Sequence, residues 1–223
     1  MKNTLFVAGC SFSDRWGTAT TCWGEQLAKK LDMKYNHDAV ETSGSNDRIF
    51  RILTDKIMHG EIKPQDKLMI QYTINSRREF TSWKNPQTSY KAKFETDEED
   101  LYIVKFKDKS YTWHKDQDIS EFLRLYEQML SMDEYDNHLF NQRQYQFQIF
   151  LQYHKIDAYI IAVNTYQFWP DCNYAVIPKF ENRIYQNNKF GHAKDERYAE
   201  DDPHHLSDNG HRKFAGVIAD WIK

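Results

Sequence analysis

Two short segments near opposite ends of the chain carry side chains able to do covalent chemistry together. The first is Gly9-Cys10-Ser11-Phe12-Ser13. A serine hydroxyl becomes a nucleophile when a neighbouring base takes its proton and N–H groups await the charge that develops on the attacked carbonyl. The second is Asp201-Asp202-Pro203-His204-His205-Leu206-Ser207, followed by Asp208-Asn209-Gly210-His211. A tight turn over Asp202 to His205 would bring that carboxylate to the imidazole N–H, fix its tautomer and stabilise the imidazolium during turnover. Ser11, His205 and Asp202 then supply the nucleophile, the base and the orienting acid of a triad. Each half alone also fits a plainer role, as an ordinary turn or as polar residues capping a helix. The first segment departs from G-x-S-x-G, since Ser13 stands where the last glycine belongs.

Two rival chemistries use the same residues. Cys10 is a competing nucleophile, provided that its thiol is exposed and has a lowered pKa. Asp201, Asp202, His204, His205 and His211 hold donor atoms for a metal. Asp-Pro-His-His is not a recognised ligand spacing, and the triad accounts for one acid and one histidine. The expectation is therefore no metal and no cofactor.

These residues need a frame. Leu5-Phe6-Val7-Ala8 is a short apolar run that stops at Gly9, as a buried parallel strand does. Lys67–Tyr72, with Leu68, Met69 and Ile70, and Asp157–Val163, with Ala158 to Ala162, read as two further buried strands. Helices are predicted over Thr21–Leu31, from Ser45-Asn46-Asp47 to a stop at His59-Gly60, and over Ser207–Ile222, where Ser207 caps the start. Asp118-Ile119-Ser120-Glu121 has a capping-box pattern and opens a long helical stretch, with a second helix ending near His154. Residues 168–200 show no recognisable strand. The polar segment 80–117 contains two alternating runs, Tyr102–Phe106 and Ser110–Trp113, around Lys107-Asp108-Lys109, which suggests a β-hairpin within an insertion. The acidic cluster Asp97 to Asp100 reads as a solvated turn.

Strands alternating with helices make an α/β protein with a mainly parallel sheet, whose ligands sit beyond the carboxyl ends of the strands. That edge is where Ser11 falls. The 223 residues suit one domain, 1–223, with the insertion at about 80–117. Net charge is −3, which gives no basic field for nucleic acid, and no apolar run nears the ~20 residues needed to span a bilayer. The N-terminus lacks the long apolar stretch of a secretory signal. The cysteines Cys10, Cys22 and Cys172 are odd in number with no C-x-x-C pair, so a reducing, cytoplasmic location is expected.

Taken together, the two end segments resemble the SGNH (GDSL-like) hydrolase superfamily. Gly9-Cys10-Ser11 is similar to its first block, with Cys10 in place of the usual Asp. Asp202-Pro203-His204-His205, then Gly210-His211 and Phe214-Ala215, is similar to its last. Ser43-Gly44-Ser45-Asn46-Asp47-Arg48-Ile49 resembles the second block in its phage-like relatives. The likeness spans residues 5–222. It implies a three-layer, flavodoxin-like sandwich and a serine esterase with Ser11, His205 and Asp202 as its triad. It further implies an oxyanion hole from the N–H groups of Ser11 and Gly44 and the side chain of Asn75. Asn46 either faces the site or caps its helix. The third block is altered, Thr73-Ile74-Asn75-Ser76-Arg77 standing where Gly-x-Asn-Asp is usual. Arg77 either pairs with Glu79 or meets an anionic group of the substrate.

The expected substrate is a small-molecule or carbohydrate ester, an O-acetyl sugar leading. The aromatic residues Trp83, Tyr90, Tyr102, Tyr111 and Trp113 offer a wall suited to sugar rings or acyl chains, or else pack the hairpin onto the body. No nucleic-acid or membrane partner is expected. Two other classes stay open: an SGNH-fold binding or structural module without turnover, and a metal-dependent phosphoesterase built on the Asp/His cluster.

Overall fold

The computed structural model describes residues 2–9, 13–15, 19–36, 45–73, 77–81, 101–105, 133–162, 178–186, 198–199 and 202–223. Along 77–81, 101–105, 133–137, 181, 186, 198–199 and 202–204 it describes the path of the backbone. The elements are β1 (Thr4–Ala8), α1 (Trp23–Lys30), β2 (Lys34–Asn36), α2 (Asn46–Met58), β3 (Lys67–Tyr72), β4 (Arg77–Thr81), β5 (Leu101–Lys105), α3 (Asp133–Tyr153), β6 (Asp157–Ala162), β7 (Ile184–Gln186), β8 (Tyr198–Ala199), β9 (Asp202–Leu206) and α4 (Asp208–Trp221).

Five strands form one parallel sheet in the order β2-β1-β3-β6-β7. This is the flavodoxin-like α/β arrangement expected from the sequence. Its two faces explain why the strands read as continuous apolar runs. Leu5, Val7, Met69 and Ile161 point to one face and pack with Leu27, Phe214 and Ile218 of α1 and α4. Phe6, Ala8, Leu68, Ile70, Ile160 and Ala162 point to the other and pack with Leu53 of α2 and Phe147 and Leu151 of α3. Side chains alternate along a strand, so a strand buried on both faces needs apolar residues at every position. At the amino ends of the strands, Asp157 is held by Lys67 at 2.6 Å and by Arg183, and both cations lie over the Tyr159 ring.

The helix ends follow local chemistry. The Ser45 and Ser207 hydroxyls accept from the N–H groups of Arg48 and Gly210, each at 3.2 Å, and so cap α2 and α4. α2 stops where Gly60 takes a φ of +71°. No helix among the described residues is long and apolar enough to cross a membrane.

Two expectations are corrected, and two further strands join the account. Strand β5 forms over most of the expected Tyr102–Phe106 run and pairs antiparallel with β4, with Arg77 opposite Lys105 and Thr81 opposite Leu101. The run expected to complete a hairpin with it, Ser110–Trp113, lies outside the described residues. Arg77-Arg78-Glu79 has no apolar alternation to announce a strand. The 168–200 stretch contains β7 and β8, which are too short for a periodicity to register. Lys34-Tyr35-Asn36 forms β2 for the same reason unannounced, its pairing supplied by β1. Finally, Asp202 to Leu206 is strand β9 and not a plain tight turn. The helical stretch from Ile119, the Asp97 to Asp100 cluster and the aromatic residues Trp83, Tyr90, Tyr111 and Trp113 lie outside the described residues.

Candidate functional site

The chain runs outward from β1 to β2 on one side and to β3 on the other, and in parallel sheets ligands bind beyond the carboxyl ends of strands at such a reversal. Gly9 and Ser13 flank the segment that carries Ser11. Ser13 is fully buried, and its hydroxyl donates to Oε1 of Gln71, near the end of β3. The indole Nε1 of Trp23 donates to the same oxygen at 3.0 Å. Indole nitrogen only donates, so this atom must be the carbonyl oxygen of the Gln71 amide. Gly9 is required by this packing. A Cβ there would stand 2.2 Å from Ser13 Oγ and 2.9 Å from Ser13 Cβ.

The neighbouring loops are fastened to the same edge. The amide of buried Asn46 pairs with the backbone of Thr73 in both directions, donating at 3.0 Å and accepting at 2.9 Å. Asn46 is therefore a clamp between α2 and the end of β3, while Ser45 does the capping. Gly44 precedes this clamp by two residues and Asn75 follows it by two.

The carboxyl-terminal segment reaches this edge through α4. The Asp208 carboxylate accepts from Thr20 N at 2.8 Å, Thr20 Oγ1 at 2.6 Å and Thr21 N at 3.1 Å. The Thr20 hydroxyl contributes most to holding that carboxyl below its ordinary range, with the two N–H groups adding and partial burial opposing. Residues 188 apart in sequence are thus joined. The backbone N–H of Trp23 donates to Nδ1 of His211 at 3.1 Å. A backbone N–H can only donate, so neutral His211 carries its proton on Nε2. Asp14 and His205 both lie close enough to His211 to act on its charge.

His211 is 1% exposed. Burial pushes its pKa from 6.5 down to about 4, with Asp208 and Asp14 pulling upward and His205 adding to the fall. Between those values the unfolded chain binds a proton that the folded chain refuses. The stability that neutral His211 contributes is complete above pH 6.5 and is lost as pH falls toward 4, on the order of 3 kcal/mol. Thermal melts of the parent and of His211→Asn across pH 4 to 7.5 check this. The parent is expected to lose more stability on acidification than the variant, which has no imidazole to titrate.

His205 is half-buried and lies on β9. One step along β8, from Ala199 to Tyr198, corresponds to four along β9, from Asp202 to Leu206. The bulge therefore falls on Pro203-His204-His205. In a regular strand residues three apart face opposite sides, and a bulge relaxes that rule. Asp202 and His204 are placed by their backbone on β9, and Arg77 by its backbone on β4. Ser11, Cys10, Gly44, Asn75 and Asp201 lie outside the described residues. Among the described residues no cluster of three His, Cys, Asp or Glu side chains is arranged to hold a metal.

Ser13, Trp23 and Gln71 escaped the sequence reading. One signal was available: Gln71 is the lone polar residue inside the apolar run of β3. A polar side chain buried there needs a hydrogen-bond partner, and Ser13, two residues after Ser11 in sequence, is one.

No protein-family profile matches the sequence, and neither does any curated protein. Solved structures do match. One is a protein assigned to the lipolytic G-D-S-L family of Desulfitobacterium hafniense DCB-2, with 9% identity, a TM-score of 0.52, and coverage of 98% of this chain and 99% of that one. Another is the lipase Lip_vut3 from a goat rumen metagenome, with 11% identity, a TM-score of 0.46, and coverage of 98% and 97%. At such identities the first likeness concerns the fold, which is that of the G-D-S-L protein from end to end.

Proposed function

We propose that this chain is a serine hydrolase that cleaves an acyl ester through Ser11, His205 and Asp202. The observation that carries the reading is the meeting of the chain's two ends. The hydrogen bonds from Thr20, Thr21 and Trp23 to Asp208 and His211 fasten the segment after Ser11 to the helix that begins just past His205. The fold shared with the G-D-S-L protein supports it.

In this mechanism His205 takes the Ser11 proton as Ser11 Oγ attacks the ester carbonyl, and Asp202 steadies the imidazolium. The N–H groups of Ser11 and Gly44 and the amide of Asn75 receive the oxyanion. His205 then gives its proton to the departing alcohol. Water, deprotonated in turn by His205, releases the acid and restores Ser11. Arg77 on β4 supplies a cation for an anionic group of the substrate, for which an O-acetylated sugar is the leading class.

The test is a fluorophosphonate probe on the purified chain, with peptide mapping and a panel of acetyl and short-chain esters. Stoichiometric labelling at Ser11 with ester turnover is expected. A chain that neither labels nor turns over any ester would instead be a binding module on this fold.

A further inference from the structure

Four buried residues form one hydrogen-bonded chain. Ser13 donates to Gln71 Oε1, Trp23 Nε1 donates to the same oxygen, and Trp23 N donates to His211 Nδ1. Their exposures are 0, 4, 0 and 1% for Ser13, Gln71, Trp23 and His211. Ser13 lies two residues after the proposed nucleophile. His211 lies in the first turns of the helix that follows the proposed base. Gln71 comes from a third element, the central strand β3, so the frame that spans both ends is anchored in the most buried part of the sheet.

We infer that Gln71 is a positioning residue for ester hydrolysis, setting through Ser13 and Trp23 the separation of Ser11 from His205. The inference rests on the serine-hydrolase reading above. One carbonyl oxygen fixes two donors at once, one on the loop after β1 and one on α1. α1 in turn holds α4 through Trp23 N. Loss of that acceptor leaves both donors buried without it, and the loop and the helix are then free to seek other partners. A displacement of about 1 Å between nucleophile and base is enough to cost on the order of 100-fold in rate. Gly9 fits the same design, because a side chain there would drive Ser13 away from Gln71.

The test compares Gln71→Met, which keeps the shape and removes the acceptor, with Gln71→Glu, which keeps an acceptor for both donors. The readouts are kcat and KM on a short-chain ester and the rate of fluorophosphonate labelling. Gln71→Met is expected to lower kcat and the labelling rate together by about 10- to 100-fold with KM little changed, and Gln71→Glu to recover most of that loss. A folded Gln71→Met chain that labels and turns over at the parent rate would overturn the inference while leaving the triad reading intact. If Gln71→Met does not fold, Ser13→Ala decides, since Trp23 still satisfies Gln71. A kcat loss of about threefold or more is then expected, and an unchanged kcat overturns the inference. A parent chain that neither labels nor turns over overturns the hydrolase reading, and the positioning role falls with it.

Discussion

Replacing Ser11 with alanine is expected to lower ester turnover by roughly 10⁴- to 10⁶-fold and abolish fluorophosphonate labelling, without moving the melting temperature. The size follows from the loss of the covalent route, because removal of a nucleophile leaves only binding and oxyanion stabilisation to act on the substrate. Stability is expected to hold because alanine keeps the Cβ and removes only the hydroxyl. The flanking geometry makes the result specific. Ser13 is fully buried with its hydroxyl committed to Gln71, so it cannot meet a substrate or take over the reaction. Cys10 is the other candidate, and a Cys10→Ala chain is expected to keep its ester turnover and its probe labelling. Undiminished turnover by Ser11→Ala would remove the triad assignment altogether.

Trp23→Ala is expected to be the most destabilising single change at the site, costing about 3 to 5 kcal/mol. For a chain of this size that corresponds to a fall of roughly 6 to 20 °C in melting temperature. Trp23 is fully buried in the layer that joins β1 to α1 and α4. Its ring meets Phe214 edge-on, with centroids 5.4 Å apart and planes at 78°, so truncation empties the seam between the two helices. The polar loss is smaller, since Gln71 Oε1 keeps Ser13 and the backbone bond to His211 survives. Trp23→Phe is therefore expected to recover most of the stability, because the ring contact returns and only the indole donor is missing. Melting curves of the three proteins check this. An alanine variant within about 1 kcal/mol of the parent would contradict the packing account.

Much of the fold was legible in the residues because it rests on local or periodic causes. The runs Leu5–Ala8, Lys67–Tyr72 and Asp157–Ala162 are mostly apolar since both faces of the sheet are covered, and all three are strands. Ser45, Ser207 and Gly60 mark helix ends by capping or by a positive φ, effects that act within a few residues. The pairing of β4 with β5 was not legible for the opposite reason. β4 pairs with β5 across about twenty residues, and no nearest-neighbour rule reaches that far.

The same division runs through the candidate site. The types and order of Ser11, Asp202 and His205, and the placing of Ser11 after a strand, were read from the residues alone. Those features depend on chemistry that each short segment carries by itself. The roles of Gln71, Asn46, Asp208 and His211 could not be read so. A glutamine inside an apolar strand, an asparagine at a helix start and a histidine inside a helix each admit many partners. Only the packing of β3 between β1 and β6, and of α4 against α1, brings Ser13 and Trp23 to Gln71, Thr73 to Asn46, and Thr20 and Trp23 to Asp208 and His211. Hydrogen bonds between groups as many as 188 residues apart are made by the tertiary fold, because a polar group such as the buried His211 ring is satisfied by whatever partner the fold carries to it.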